Sequence, residues 1–169
     1  MKEKWIKVAI IQPKLVEDND INLDSVENLV KAAAEDNPDI VILPERWWFI
    51  NPFAGEIKEK IQEERGMQYQ AAKKWAKRYS LNIVAGSIWE WRKGFDKPFI
   101  TSYYFDKLGN EIGRQDKIQL YKAEKMLFEP GKVLNIFSLS LDKTKSGSVK
   151  NAKVKFSTLI CFDFHIRTE

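Results

Sequence analysis

The sequence has one cysteine and one histidine among its 169 residues, and it has no long apolar run. A single cysteine excludes an internal disulfide, fits a reducing compartment, and leaves the thiol of Cys161 free to react. No stretch reaches the roughly 18 apolar residues that a membrane helix needs. The short apolar stretch near the N terminus is broken by Gln12 and Pro13, so it does not read as a signal peptide. We therefore expect a soluble, cytoplasmic protein with no membrane partner.

The sequence also lacks a strong excess of one charge and a glycine-rich phosphate loop. Its 28 basic and 24 acidic residues give a net charge of +4, and they are mixed in stretches such as EIKEKIQEERG. Such mixing is typical of solvated helix faces, so we expect no nucleic-acid partner and no nucleotide cofactor. A zinc site formed by Cys161, Asp163 and His165 would lack the four ligands and paired spacing of structural zinc sites. We expect no bound metal.

What the sequence does contain is a regular series of apolar segments. WIKVAIIQ and DIVILP predict strands, and a helix is predicted between them from Ile21 to Glu35, preceded by the polar cluster EDND. A helix-favouring stretch follows over residues 55–79. Further strands are predicted in LNIVAGSIWEW, FITSYYFD, EIGRQDKI, VLNIFSL and VKFSTLIC.

This order predicts a single α/β domain over residues 1–169, with a mixed sheet covered on one face by helices. The glycine-containing links RKGFDK and KLGN favour antiparallel neighbours. Several strands are apolar on both faces, so the second face of the sheet needs a cover of its own.

Three reactive side chains each follow an apolar strand pattern. Glu45 follows VILP, Lys117 closes EIGRQD, and Cys161 follows STLI. Strand ends in α/β sheets gather around a crevice, so these side chains could converge there. A cysteine attacks as the thiolate and needs a base, for which Glu45 is suited, while Lys117 could stabilise an oxyanion. The backbone N–H of Phe162 is the natural second oxyanion donor.

Each of these residues alone has a simpler interpretation. Cys161 could be a small core residue, Glu45 a surface loop residue, and Lys117 a lysine whose stem packs on the protein surface. His165 lies four residues after Cys161, whereas the partners of Cys–His enzymes are usually distant in sequence, so we expect a structural role for it. Trp47 and Trp48 directly follow Glu45 and could line a substrate pocket or cap the core.

The contexts of these residues resemble the nitrilase, or carbon–nitrogen hydrolase, superfamily. VILPE, GRQDKIQLYKAEKMLFEPG and LICFD are similar to its three motifs, and KVAIIQP and DINLDSVENL to its first strand and helix. The resemblance implies a nitrilase-like α-β-β-α sandwich that hydrolyses amide, carbamoyl or nitrile carbon–nitrogen bonds. It makes Glu45 the general base, Lys117 the stabiliser of the tetrahedral intermediate, Cys161 the nucleophile and Glu124 a supporting carboxylate. It also implies no cofactor and a homo-oligomer.

The sequence departs from this family in two respects. Relatives usually continue after the cysteine with an arginine and a Phe-Pro-Glu-like segment, whereas this chain has HIRTE. They also continue well beyond that point, so we expect the C-terminal third of the usual domain to be missing. This leaves the hydrolase hypothesis beside two others: a catalytically inactive remnant that serves as a binding or assembly module, and a basic surface that binds acidic partners.

Overall fold

A computed structural model describes residues 6–50, 57–141 and 152–165 of the chain. The helices are α1 Asn19–Glu35, α2 Met67–Tyr79 and the short α3 Glu124–Leu127, with 3-10 helices at Ile57–Lys60 and Cys161–His165. The strands are β1 Val8–Ile10, β2 Ile40–Ile42, β3 Gln62–Glu63, β4 Ile83–Val84, β5 Ile88–Trp91, β6 Phe99–Phe105, β7 Glu111–Asp116, β8 Phe137–Leu141 and β9 Ala152–Phe156.

The main sheet has seven strands and mixed direction, as predicted. β1, β2 and β4 are parallel, and β6 is antiparallel to β4, β5 and β7. The short β3 is parallel to β5 at the far edge. The links between β5 and β6 and between β6 and β7 join antiparallel neighbours, which confirms the interpretation of their glycine-containing turns.

Two helices cover one face of this sheet. α1 begins at Asp18, whose carboxylate accepts hydrogen bonds from the backbone N–H groups of the first turn, as the polar cluster predicted. Its buried Val26 and Val30 share one core with Trp75 of α2 and the β-sheet residue Val41. None of the helices in the described ranges combines the length and apolar character needed to cross a bilayer.

The β8–β9 hairpin covers part of the second face of the sheet. Ile40 and Val84 alternate with helix-facing neighbours along their strands, and they share a core with Phe137 of β8. The ring centroids of Phe137 and Tyr104 lie 4.2 Å apart. The hairpin therefore covers the middle of the second face, whereas Val8 and Ile10 of β1, which pair with Ile40 and Ile42, stay exposed.

The structure corrects three predicted boundaries. The stretch 55–79 is not one helix, because the left-handed backbone of Arg65 (φ 57°) and the N-cap Gly66 delay the start of α2 to Met67. Residues 51–56 lie outside the described part of the chain. LNIVAGSIWEW is divided into β4 and β5 at Gly86, which has a φ of +64°. β9 ends at Phe156, so Cys161 does not directly follow a strand.

Candidate active site

Glu45 is held where β2 continues toward the bend between β4 and β5. Its backbone forms an isolated parallel bridge with Ser87, and the Ser87 hydroxyl accepts from the Arg46 N–H at 3.3 Å. A Cβ on Gly86 would lie 2.1 Å from the carbonyl oxygen of Pro44. Glycine at this bend therefore allows the backbone that carries Glu45 to lie close to the bend between β4 and β5.

Lys117 directly follows β7, and its ammonium group lies between two carboxylates. Its side chain is 1% exposed, and Nζ is 3.1 Å from Oε1 of Glu45 and 2.9 Å from Oε1 of Glu124. The Lys117 backbone donates to the Ile100 carbonyl and accepts from the Gly131 N–H, both at 2.8 Å. The lysine is therefore fixed at its main chain and at its charged end.

A buried ion network holds the end of β7 from the other side. Arg92 donates to both carboxylate oxygens of Asp116, at 2.6 and 2.8 Å, and to the fully buried Glu90 at 2.9 Å. Its guanidinium carbon lies 4.2 Å from the ring centroid of Phe99. Since Asp116 directly precedes Lys117, this network restricts the position of the lysine.

Glu124 is the first residue of the short helix α3, and its carboxylate accepts hydrogen bonds from Lys117 and from the backbone that precedes the helix. Its second oxygen accepts from the backbone N–H of Tyr121 at 2.7 Å. Burial alone would lower the pKa of Lys117, but the hydrogen bond to Glu124 and the charges of Glu45 and Glu124 outweigh it and raise that pKa. The lysine is therefore an ammonium ion at neutral pH.

Cys161 opens a 3-10 helix with a left-handed backbone (φ 51°), and its side chain is exposed. Such a φ is uncommon for a residue other than glycine and is found at functional sites. Although the side chain is exposed, partial desolvation of the thiol and the negative charge of Glu45 raise the pKa of Cys161, Lys117 opposes them, and a side-chain hydrogen bond to Glu45 raises that pKa further. The thiol is therefore protonated at neutral pH and lies beside a carboxylate that can accept the proton.

The structure thus brings together Glu45, Lys117, Glu124 and Cys161. In the sequence, Glu45 and Cys161 are 116 positions apart. Carboxylate, ammonium and thiol gathered at one place form a set that can move a proton, attack a polarised carbon and neutralise a developing oxyanion.

Glu45, Glu124 and Cys161 line a cleft of about 470 Å³, which is within the usual size range of small-molecule sites, and the buried Lys117 lies behind the two carboxylates that it contacts. Its wall is mostly apolar and aromatic, and Arg46 and Lys122 add positive charge. The other lining residues are Glu45, Ile57, Trp89, Tyr121, Ala123, Glu124, Leu127, Phe128 and Cys161. The sequence analysis missed these aromatic residues, because an aromatic residue in a strand or short helix has the same local pattern whether it faces a core or a cleft.

The two tryptophans after Glu45 lie elsewhere. Trp47 is fully buried, donates from its indole N–H to the Ala85 carbonyl at 2.7 Å, and packs against Trp75 with ring centroids 5.5 Å apart. Trp48 is half-buried and packs edge-on against Phe49. Neither lines the cleft as far as the chain is described, so the suggested substrate-binding role of both residues is replaced by a core role.

The residues that follow the cysteine have separate environments. The ring of Phe162 lies 5.1 Å from that of Tyr121, and the role of its backbone N–H as an oxyanion donor stays a prediction. The Asp163 carboxylate accepts hydrogen bonds from backbone N–H groups. The side chain of His165 lies outside the described part of the structure. Within that part, no group of three or more His, Cys, Asp and Glu side chains could hold a metal ion.

Replacing Glu45 with glutamine should move the pH dependence of Cys161 alkylation to lower pH. The negative charge of Glu45 raises the thiol pKa, so its removal should lower that pKa and increase the thiolate fraction at a given pH. The measurement is the rate of iodoacetamide labelling from pH 6 to 10, followed by mass spectrometry. Glu17→Gln, an exposed change of the same kind, should leave the midpoint unchanged. A midpoint that stays in place or rises in Glu45→Gln would contradict the placement of this carboxylate beside the thiol.

Comparison with known proteins agrees with the fold and with the sequence motifs. The carbon–nitrogen hydrolase family model matches residues 7–168, and the chain therefore belongs to this family. It is 29% identical over 164 residues to nitrilase homolog 2 of Dictyostelium discoideum, covering 96% of this chain. It is 30% identical over 159 residues to the omega-amidase NIT2 of Danio rerio, covering 93% of this chain.

Two solved structures share the fold. A crystal structure of an N-terminal amidase superposes with a TM-score of 0.79 at 18% identity, covering 95% of this chain and 40% of that one. Nit3 of Saccharomyces cerevisiae, from the nitrilase superfamily, superposes with a TM-score of 0.74 at 24% identity and covers 95% of this chain and 57% of that one. The predicted nitrilase-like α/β architecture, with its mixed sheet under two helices, is confirmed.

The chain spans about half the length of the curated relatives that it matches. It covers 48% of the Dictyostelium discoideum protein and 54% of the Danio rerio omega-amidase.

Proposed function

We propose that this chain carries the catalytic residues of an amidase-type hydrolase, which cleaves a non-peptide carbon–nitrogen bond through a thioester on Cys161. The observation that supports this most directly is the contact set around one ammonium ion. Lys117 bonds both Glu45 and Glu124, and Glu45 in turn lies beside the Cys161 thiol. A packed core or a surface ion pair does not require a thiol beside such a network.

In the proposed first half-reaction, Glu45 accepts the thiol proton as Sγ of Cys161 attacks the amide carbon. The carbonyl oxygen becomes an oxyanion that faces the Lys117 ammonium and the backbone N–H of Phe162. The tetrahedral intermediate then collapses, the carbon–nitrogen bond breaks, and the protonated Glu45 gives its proton to the leaving nitrogen. Ammonia or an amine departs and leaves an acyl thioester.

In the second half-reaction, Glu45 takes a proton from a water molecule that attacks the thioester carbon. The carbon–sulfur bond breaks, the carboxylic acid is released, and the proton returns to sulfur. Glu45 thus serves both halves because its carboxylate alternates between base and acid. Lys117 cannot replace it as the base, because its raised pKa keeps it cationic.

Amides are the proposed substrate class because of the names of the relatives. An omega-amidase and an N-terminal amidase are among them, and one protein of Pyrococcus abyssi is named a nitrilase. The cleft contributes an apolar wall together with Arg46 and Lys122. This favours small amides that combine an apolar portion with an anionic group over polycationic ones.

The proposal is tested by incubating the chain with a short aliphatic amide, the ω-amide of a dicarboxylic acid, a peptide with N-terminal asparagine, and a nitrile. We expect ammonia release from at least one amide and a transient mass increase on Cys161 equal to the acyl group. Cys161→Ala should abolish both signals, with a loss of turnover of at least about 10⁴-fold.

The inactive binding module predicts a different outcome. In that case no substrate in the panel would release ammonia, and Cys161 would react with iodoacetamide as slowly as a free peptide thiol of the same pKa. That pair of results would reject the hydrolase in favour of the remnant.

A further inference from the structure

Asp163 has an unusual set of bonds for an acidic residue two positions after the candidate nucleophile. Its side chain is 1% exposed, and it is absent from the cleft wall as far as the chain is described. One carboxylate oxygen accepts from the backbone N–H groups of Ile118 at 2.9 Å and Gln119 at 2.6 Å. The other accepts from the backbone N–H of Ile160 at 3.0 Å.

The partners of this carboxylate belong to two separate parts of the proposed site. Ile118 and Gln119 directly follow Lys117, whereas Ile160 directly precedes Cys161. The two segments are about forty residues apart in sequence, and the carboxylate of Asp163 bonds to both at once. Hydrogen bonds to an ionised acceptor are roughly twice as strong as neutral ones, which makes this a strong link.

The cysteine needs such a link because the sheet does not hold it. β9 ends at Phe156, and the residues 157–160 between that strand and Cys161 have no regular structure. Lys117, by contrast, directly follows β7 and bonds to the sheet through the Ile100 carbonyl. The turn at residues 117–119, which we call the lysine turn, is therefore a fixed point. Residues 157–161, the nucleophile segment, can be attached to it.

We propose that Asp163 is a positioning residue, which fixes the backbone of Cys161 against the turn after Lys117 and so sets the distance between thiol and ammonium. This inference rests on the proposed hydrolase function. The carboxylate acts through the main chain and touches neither the substrate nor the cleft. A displacement of about 1 Å between reacting groups can lower a rate by about 100-fold, so the link has a direct effect on turnover.

The informative variant is Asp163→Asn, which keeps the shape of the side chain. Its single amide oxygen can still accept from Ile118 and Gln119, but its NH₂ group then faces the N–H of Ile160, donor against donor. The hydrogen bond between residue 163 and the nucleophile segment should therefore be lost, while those to the lysine turn are kept. We expect kcat to fall by about 10- to 100-fold with KM changed less than about threefold. Asp163→Ala, which loses all the bonds, should be slower still.

Hydrogen exchange gives a second readout that does not depend on turnover. In Asp163→Asn, amide protection should fall in residues 157–165 and be retained in the helices α1 and α2. Asp106→Asn is the matched control, because Asp106 also accepts from backbone N–H groups, those of Leu108 at 2.9 Å and Asn110 at 2.8 Å, in the β6–β7 turn. This control should keep both kcat and the protection of residues 157–165.

Two results would overturn the positioning role. One is wild-type kcat in Asp163→Asn, whatever the exchange pattern. The other is a fall in kcat together with a uniform loss of amide protection across the whole chain, which is the result expected of a purely structural residue.

If the wild-type chain hydrolyses no amide, the proposed function fails separately, and the rate of Cys161 alkylation replaces kcat as the readout. An unchanged alkylation rate in Asp163→Asn would then reject the link.

Discussion

Replacing Lys117 with methionine should lower amide turnover by about 10² to 10³-fold and lower the free energy of unfolding by about 3 kcal/mol. The loss of turnover follows from removing the cation that faces the oxyanion. The loss of stability follows from leaving Glu45 and Glu124 facing each other with no charge between them, since both now bond the same ammonium group. We take the lower end of the range for a broken buried pair because both carboxylates are 23% exposed.

The measurements for Lys117→Met are urea denaturation and ammonia release under identical conditions. Lys97→Met is a suitable control, because Lys97 is a half-buried lysine that contacts no carboxylate pair within the described ranges and whose ammonium group donates to the Lys125 carbonyl at 3.2 Å. It should change stability by less than about 0.5 kcal/mol and leave turnover intact. A Lys117→Met variant as stable and as active as Lys97→Met would show that the ammonium group has no part in the site.

Replacing Gly86 with alanine should destabilise the chain by at least about 3 kcal/mol and abolish turnover. Gly86 combines a φ of +64° with a Cβ position 2.1 Å from the Pro44 carbonyl oxygen and 2.7 Å from the Trp47 ring. The backbone must therefore move, and the strand extension that carries Glu45 moves with it.

Gly94→Ala separates the two causes of this effect. Gly94 also has a positive φ, +89°, but a Cβ there meets nothing within 4 Å. Its alanine variant should lose only the conformational preference, about 1 kcal/mol, and retain activity. Thermal melts of the two variants measure the difference. If Gly86→Ala were no less stable than Gly94→Ala, the close approach of the chain at Pro44 would be wrong.

The sequence predicted the fold class and the mixed sheet because these depend on local signals. Alternating or continuous apolar runs marked the strands, and the polar cluster before α1 marked its start at Asp18. Glu45 and Lys117 were found because polar residues at the ends of buried strands interrupt an otherwise apolar pattern.

The parts that the sequence did not predict depend on backbone conformation or on long-range contacts. The stretch 55–79 has the composition of one helix. However, a Cβ on Gly66 would lie 2.9 Å from the carbonyl oxygen of Glu63, and α2 starts only after this glycine. Trp47 is next to Glu45 in sequence, but its backbone turns it toward Trp75 and the core. The structural role of Asp163 was not predicted, because two of its three main-chain partners, Ile118 and Gln119, lie about forty-five positions away.

The left-handed backbone at Cys161 has a consequence for attempts to make this protein more heat-resistant. An L-residue other than glycine pays roughly 1 kcal/mol in that conformation, so glycine at position 161 would relax the main chain. Directed evolution that screened only for survival on heating would therefore tend to select variants in which Cys161 is replaced by glycine. A screen for robust variants of this chain must keep a chemical assay for the thiol in every round.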